Sequence, residues 1–163
     1  MQIQLEQIFN IEGSSKDLSF VFEPGYSLSD DFVLETPVTF SGGVKNTAGI
    51  VSLDGTASFS ASVACSRCAE RFNKDFSIEV RHFLATKLQN GDNDDYILAE
   101  DYMLDLQALV CEDIILSLPV KFLCREDCKG ICPKCGKNLN SGNCTCKKDV
   151  DPRMVALLEL LED

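Results

Sequence analysis

Alternation of apolar and polar side chains dominates the first half of the chain. Val51, Leu53, Gly55, Ala57, Phe59, Ala61 and Val63 occupy every second position, with mostly Ser, Thr and Asp between them, which predicts a long strand with one buried face. The pattern resumes as Phe76, Ile78, Val80, His82 and Leu84, so the two runs predict a hairpin with Cys65-Ser66-Arg67-Cys68 at or near its tip. Upstream, Pro37-Val38-Thr39-Phe40, with Val44 beyond Gly42-Gly43, reads as another strand that the glycines could bulge. A twisted antiparallel meander is the expectation.

The period then changes. Leu106, Leu109, Val110, Ile114 and Leu118 space as the apolar stripe of a helix, with Asp105 as N-cap and Pro119 as its stop. Cys111 falls inside this stretch and reads as a buried core thiol. Asp151-Pro152 is a second helix start, and Met154, Leu157, Leu158 and Leu161 repeat at helical spacing, predicting a short amphipathic helix docked on the body. Gln89-Asn90-Gly91-Asp92-Asn93-Asp94 is loop chemistry; Tyr96 and Ile97 stand where a calcium loop needs an oxygen ligand and a glycine. The expected fold is therefore α+β: an antiparallel sheet that could be barrel-like, a core helix, a cysteine-rich metal module and a short terminal helix. The expected boundaries are a sheet and helix body over 1–120, the module over 121–148 and the terminal helix over 149–163.

The cysteines change the picture most. Six of the nine run as Cys124-x3-Cys128-x3-Cys132-x2-Cys135-x8-Cys144-x-Cys146, and Cys65 and Cys68 add another CxxC pair. Two thiolates on such a turn chelate one ion, and a second pair completes a tetrahedron. Spacing suggests two zinc sites, one from Cys132, Cys135, Cys144 and Cys146, the other from Cys65, Cys68, Cys124 and Cys128. The rival is one ion held by four of the six late cysteines, with Cys65 and Cys68 as a redox pair or as separate thiols. A disulfide framework would need an oxidising compartment. The start, Met1-Gln2-Ile3-Gln4-Leu5-Glu6, shows no secretory pattern, and no stretch approaches the roughly 20 apolar residues of a membrane span. A cytoplasmic protein without a membrane partner is expected. Closed four-cysteine sites leave no position for water, so the zinc would be structural.

Charge narrows the partners. The chain carries a formal net charge of -11, against the basic character of proteins that bind nucleic acid through phosphate neutralisation. The acid is unevenly placed, however. Residues 1–120 hold seven basic and nineteen acidic side chains, whereas between Lys121 and Lys148 seven basic residues face only Glu126 and Asp127. Any RNA contact is expected in that segment, through Arg125, Lys129, Lys134, Lys137, Asn138 and Asn140; the same residues could equally be a solvated rim offsetting thiolate charge. The acidic remainder suits a basic protein partner. No phosphate loop, nucleophile elbow or zinc-protease motif is present, so neither an enzyme nor a small-molecule substrate is expected. His82, the single histidine, is expected to pack in the core or at its edge.

Four features together resemble the YceD-like family, the large ribosomal RNA subunit accumulation proteins of bacteria and plastids. They are Cys65-Ser66-Arg67-Cys68 after a strand; Asp105-Leu106-Gln107-Ala108-Leu109-Val110 running into Glu112-Asp113-Ile114-Ile115-Leu116-Ser117-Leu118-Pro119; Cys128-Lys129-Gly130-Ile131-Cys132-Pro133-Lys134-Cys135-Gly136-Lys137-Asn138-Leu139-Asn140; and Asp151-Pro152-Arg153. The resemblance implies a non-enzymatic ribosome-biogenesis factor supporting synthesis, processing or accumulation of 23S rRNA. Its partner would be the 23S precursor or a large-subunit assembly intermediate, reached directly or through a basic ribosomal protein. The alternative from another class is a thiol-based zinc or redox sensor, or an adaptor, in which oxidation ejects the metal.

Overall fold

The computed structural model describes residues 1–24, 32–87 and 95–146. The expected terminal helix over 149–163 and the loop 89–94 lie outside these residues.

Strands dominate. β1 (Gln2–Gln4) is followed by helix α1 (Glu6–Asn10), then β2 (Ser15–Phe22), β3 (Phe32–Leu34), β4 (Val38–Thr47), β5 (Ile50–Ala64), β6 (Arg71–Ala85), β7 (Tyr96–Leu98), β8 (Met103–Asp105) and helix α2 (Leu106–Ser117). The main sheet runs β2-β4-β5-β6-β7 and curls into a half-barrel, and β3 pairs with β5 beyond the end of β4. The long hairpin is as the alternation predicts: Val51 pairs with Leu84 at one end and Ala64 with Arg71 at the other.

Two expectations are corrected, and one pairing is new. The sheet is mixed, because β7 runs parallel to the end of β6, with Phe83 opposite Tyr96. β1 and β8 form a separate antiparallel ribbon. The Gly42-Gly43 pair makes no bulge, since Gly42 pairs with Gly55 and Gly43 with Asp54 in unbroken register. The glycines serve packing instead: a Cβ at Gly55 would collide with the ring of the fully buried Phe40, and one at Gly42 with the backbone of Asp54 and Gly55.

The core lies on one face of this sheet. Val38, Phe40 and Val44 from β4, the alternating residues of β5, and Ile78, Val80 and Leu84 from β6 are buried there. Leu106, Leu109, Val110, Cys111 and Ile114 of α2 join the same cluster. His82 is half-buried on this face, and its Nε2 lies 2.7 Å from Asp113 Oδ2 of α2, a polar tie between sheet and helix. The hairpin between β4 and β5 turns at Ala48 and Gly49, both at positive φ as a two-residue primed turn demands. Buried Asn46 secures it: Oδ1 accepts from the Gly49 amide at 3.0 Å, and Nδ2 donates to the Ile8 carbonyl of α1 at 2.7 Å.

Asp105 caps α2 as expected, accepting from the Ala108 amide at 3.2 Å, and also receives the Met1 ammonium at 3.0 Å. These donors, the ammonium first, hold its carboxyl below the usual range. Its contribution is therefore present above the ordinary carboxylate pKa and is lost as pH falls through the lowered one. Asp105→Ala should cost about 1 kcal/mol, a fall of about 3 °C in melting temperature at neutral pH, and Asp105→Asn clearly less. Thermal unfolding followed by circular dichroism measures both; equal losses would mean that the cap is unimportant.

Candidate metal centres

The tip of the β5–β6 hairpin is a tight turn. The Ala69 amide donates to the Cys65 carbonyl at 2.8 Å, and Ala69 sits at φ 58, a left-handed conformation that normally favours glycine. The late CxxC is built alike: the Gly136 amide donates to the Cys132 carbonyl at 2.9 Å, with Gly136 at φ 70. Each turn folds its two sulfurs to one side while backbone amides point toward them. The missing glycine after Cys68 conceals this kinship in the sequence.

The segment after α2 is fastened to the hairpin tip by the backbone. The Ser66 amide donates to the Phe122 carbonyl at 2.7 Å, and the Phe122 amide returns a bond to Ser66 Oγ at 3.2 Å. The Arg67 guanidinium donates to the carbonyls of Glu126 (3.1 Å) and Cys128 (2.9 Å), and the Ile131 amide donates to the Arg67 carbonyl at 3.1 Å. Gly130, at φ 75, lets the chain pass so close that a Cβ there would lie 3.0 Å from the Arg67 carbonyl oxygen.

This docking brings together the first group of four named from spacing, and a local return of the chain after Cys132 accompanies the second. The sulfurs of Cys65, Cys68, Cys124 and Cys128 all lie within 4.8 Å of one another, and so do those of Cys132, Cys135, Cys144 and Cys146. Cys65 to Cys128 and Cys68 to Cys124 are each 3.8 Å. A tetrahedron with metal–sulfur bonds of about 2.3 Å has edges of about 3.8 Å, whereas a disulfide requires about 2.05 Å. None of the nine cysteines is in a disulfide. The donor set and spacing therefore fit a soft-ligand metal ion at either group. Cys111 belongs to neither and is buried in the core.

The surroundings differ. Cys65, Cys68 and Cys128 are buried and packed with Phe72 and Leu123, whereas Cys135 and Cys146 are exposed. Burial pushes the Cys65 thiol up, but the amides of Cys124, Cys68 and Arg67 overcome this and bring it to about 6. In the second group the amides of Cys135 and Lys134 lower Cys132 to about 6. Their neighbours go the other way. Burial and neighbouring sulfurs raise Cys124 to about 12, and Cys135, with burial and Cys132, raises Cys146 to about 12. Four sulfurs this close share protons until a cation replaces them, so metal uptake releases protons.

The side chains considered for RNA contact divide. Arg125, Lys129, Lys134 and Lys137 are exposed. Arg125 Nε lies 3.6 Å from Asp127 Oδ1, and Lys137 Nζ donates to the Asn143 carbonyl at 3.1 Å. Asn138 and Asn140 are half-buried: Asn138 Oδ1 accepts from the Asn140 amide at 2.9 Å, and Asn140 Nδ2 donates to Cys128 Sγ at 3.3 Å. Sequence reasoning missed that role, because an asparagine 12 residues from its sulfur carries no spacing signal. It also missed the Arg67 clamp and the Asp113 partner of His82.

A strand-rich body joined to a following segment that carries two four-thiol groups defines a scaffold with two candidate metal centres. The chain belongs to the YceD family, the large ribosomal RNA subunit accumulation protein YceD, whose model matches residues 53–161. It is 31% identical over 138 residues to the uncharacterized protein YlbN of Bacillus subtilis, covering 83% of this chain and 80% of that protein. It is 26% identical over 122 residues to the uncharacterized protein Rv2926c of Mycobacterium tuberculosis, covering 72% of this chain and 59% of the other. The large ribosomal RNA subunit accumulation protein YCED homolog 1, chloroplastic, of Zea mays is 29% identical over 144 residues; the match covers 69% of this chain and 49% of the maize protein. No solved structure matches. No helix among the described residues is long and apolar enough to cross a membrane.

Proposed function

We propose that this chain is a non-enzymatic, cytoplasmic ribosome-biogenesis factor that supports accumulation of 23S rRNA and carries two structural zinc ions. The observation that carries the reading is that the matched region, 53–161, contains both four-thiol groups, the first of which joins the hairpin tip to the later segment. Cys65, Cys68, Cys124 and Cys128 hold one ion, and Cys132, Cys135, Cys144 and Cys146 the other. Four sulfurs close the coordination of each, so the metal positions backbone and leaves no site for catalytic water. The body, residues 1–120, carries the acidic excess suited to a basic ribosomal protein, and the module over 121–148 carries a basic excess.

Arg125, Lys129, Lys134 and Lys137 are the side chains through which the module meets phosphate on a 23S precursor or large-subunit intermediate. Asn138 Oδ1 and both ends of the Asn140 carboxamide are engaged within the module itself.

Capture of the tagged chain from cells in metal-preserving buffer, with and without ribonuclease, tests this reading. Crosslinked 23S precursor mapping to the module supports direct contact; a ribosomal protein that persists after ribonuclease, without crosslinked RNA, supports the adaptor form; neither signal removes the assignment. The double reversal Lys134→Glu with Lys137→Glu should weaken RNA association by roughly tenfold or more near physiological salt, because two phosphate contacts and their counterion release are lost. Its salt slope should be shallower by about 2. Unchanged association would place the RNA surface elsewhere.

A further inference from the structure

The loop that closes the second thiol group also reaches the first. Between Cys135 and Cys144 the chain folds back on residues 129–132: the Leu139 amide donates to the Gly130 carbonyl at 2.9 Å, the Cys132 amide to the Lys137 carbonyl at 2.9 Å, and Ile131 bridges Asn138. Asn140 stands at the end of this return. Its Oδ1 accepts from the Lys129 amide at 2.8 Å, and a backbone amide can only donate, so the carboxamide orientation is fixed and Nδ2 faces the Cys128 sulfur 3.3 Å away. A residue carried by the loop of one group thus supplies a hydrogen bond to a sulfur of the other.

We propose that Asn140 is a positioning residue that couples the two centres. Metal held by Cys132, Cys135, Cys144 and Cys146 raises the affinity of the centre formed by Cys65, Cys68, Cys124 and Cys128, and the reverse. This rests on the metal reading above. An N–H donor on a metal-bound thiolate fixes the sulfur and spreads its charge, and outer-shell partners of this kind are worth about 10–100-fold in metal affinity. Asn140 supplies that bond from a loop that the bonds to residues 129–132 shape and that the second ion would further anchor at Cys135 and Cys144. Coupling between equilibrium affinities is necessarily reciprocal. The exposure of the two groups gives it direction: the solvent-facing centre exchanges metal first, and its occupancy sets how tightly the buried one is held.

Cobalt(II) titration of the full chain, read by its thiolate charge-transfer and d–d bands, and zinc competition against a chromophoric chelator test this. Cys144→Ser, which breaks the second centre, should lower the first centre's affinity by about 10–100-fold. Asn140→Ala should lower it similarly, and adding Cys144→Ser to Asn140→Ala should then have little further effect on the first centre. Asn140→Asp retains the acceptor for the Lys129 amide but sets a carboxylate oxygen against the sulfur, so it should bind worse than Asn140→Ala. Rescue by the aspartate would instead mean that Asn140 merely holds the loop, and would overturn the coupling. So would an unchanged first centre in Cys144→Ser, in a wild-type chain that binds two cobalt ions with tetrathiolate spectra; the metal reading would then survive. A wild-type chain without tetrathiolate cobalt bands would overturn both.

Discussion

Cys128→Ser should purify with one equivalent of zinc instead of two and should loosen the segment after α2 from the hairpin tip. Cys128 is buried at the junction, where its sulfur completes the first group and its carbonyl receives the Arg67 guanidinium. Structural zinc contributes about 10–16 kcal/mol of apparent binding free energy in small metal modules at neutral pH, more than the few hydrogen bonds across the junction and the packing of Phe122 on Phe32 and Phe76. Three thiolates without their fourth partner do not hold the tip and the segment together on comparable terms. The consequence should be local, because the β4–β6 core is built from separate apolar contacts. Amide exchange at Ser66 and Ile131, which donate across the junction, should quicken at least about tenfold, while amides paired between β5 and β6 remain protected. Retention of two equivalents, or unchanged exchange at these two amides, would refute a zinc-held junction.

Acid should act in the same direction. Cys65 and Cys132, brought down to about 6, are ionised at neutral pH without metal, whereas Cys124 and Cys146, raised to about 12, are protonated. Binding must displace the latter protons, so affinity falls as pH falls. Below about 6 the two acidic thiols take up protons as well, and release should steepen. Zinc retained in the chelator competition should therefore drop between pH 7 and pH 5.

What was legible in the sequence follows its periods and spacings. Strict alternation marks the buried face of β5 and β6, and the Asp105 cap with the Leu106 to Leu118 stripe marks α2, because both are local patterns tied to one packing face. The four-thiol groupings were readable because a CxxC turn fixes half of each site. Pairings set by distant contacts were not readable. Nothing around Tyr96 says that β7 should lie parallel to β6, and nothing around Gln2 points to Met103 through Asp105 of β8. The Gly42-Gly43 pair read as a bulge because glycine in a strand has two uses, distortion and close approach. Only the position of the Phe40 ring reveals the second.

That ring makes the largest stability effect in the body. Phe40 is fully buried beside Phe20, and its far edge occupies the space that side chains at Gly42 and Gly55 would need. Phe40→Ala should cost about 3–5 kcal/mol, or about 10 °C in melting temperature for a chain of this size. Gly55→Ala should cost about 1–3 kcal/mol by overpacking. The two glycines differ in what they would strike. At Gly55 the nearest atoms belong to the Phe40 side chain, which a smaller residue can vacate; at Gly42 they are backbone atoms of Asp54 and Gly55, which it cannot. Urea unfolding of zinc-saturated protein should therefore show Gly55→Ala largely relieved in a Phe40→Leu background, with a coupling of about 1–2 kcal/mol. Gly42→Ala should stay costly in both backgrounds. If Gly55→Ala costs the same beside leucine as beside phenylalanine, the glycine is required by the backbone and not by the ring.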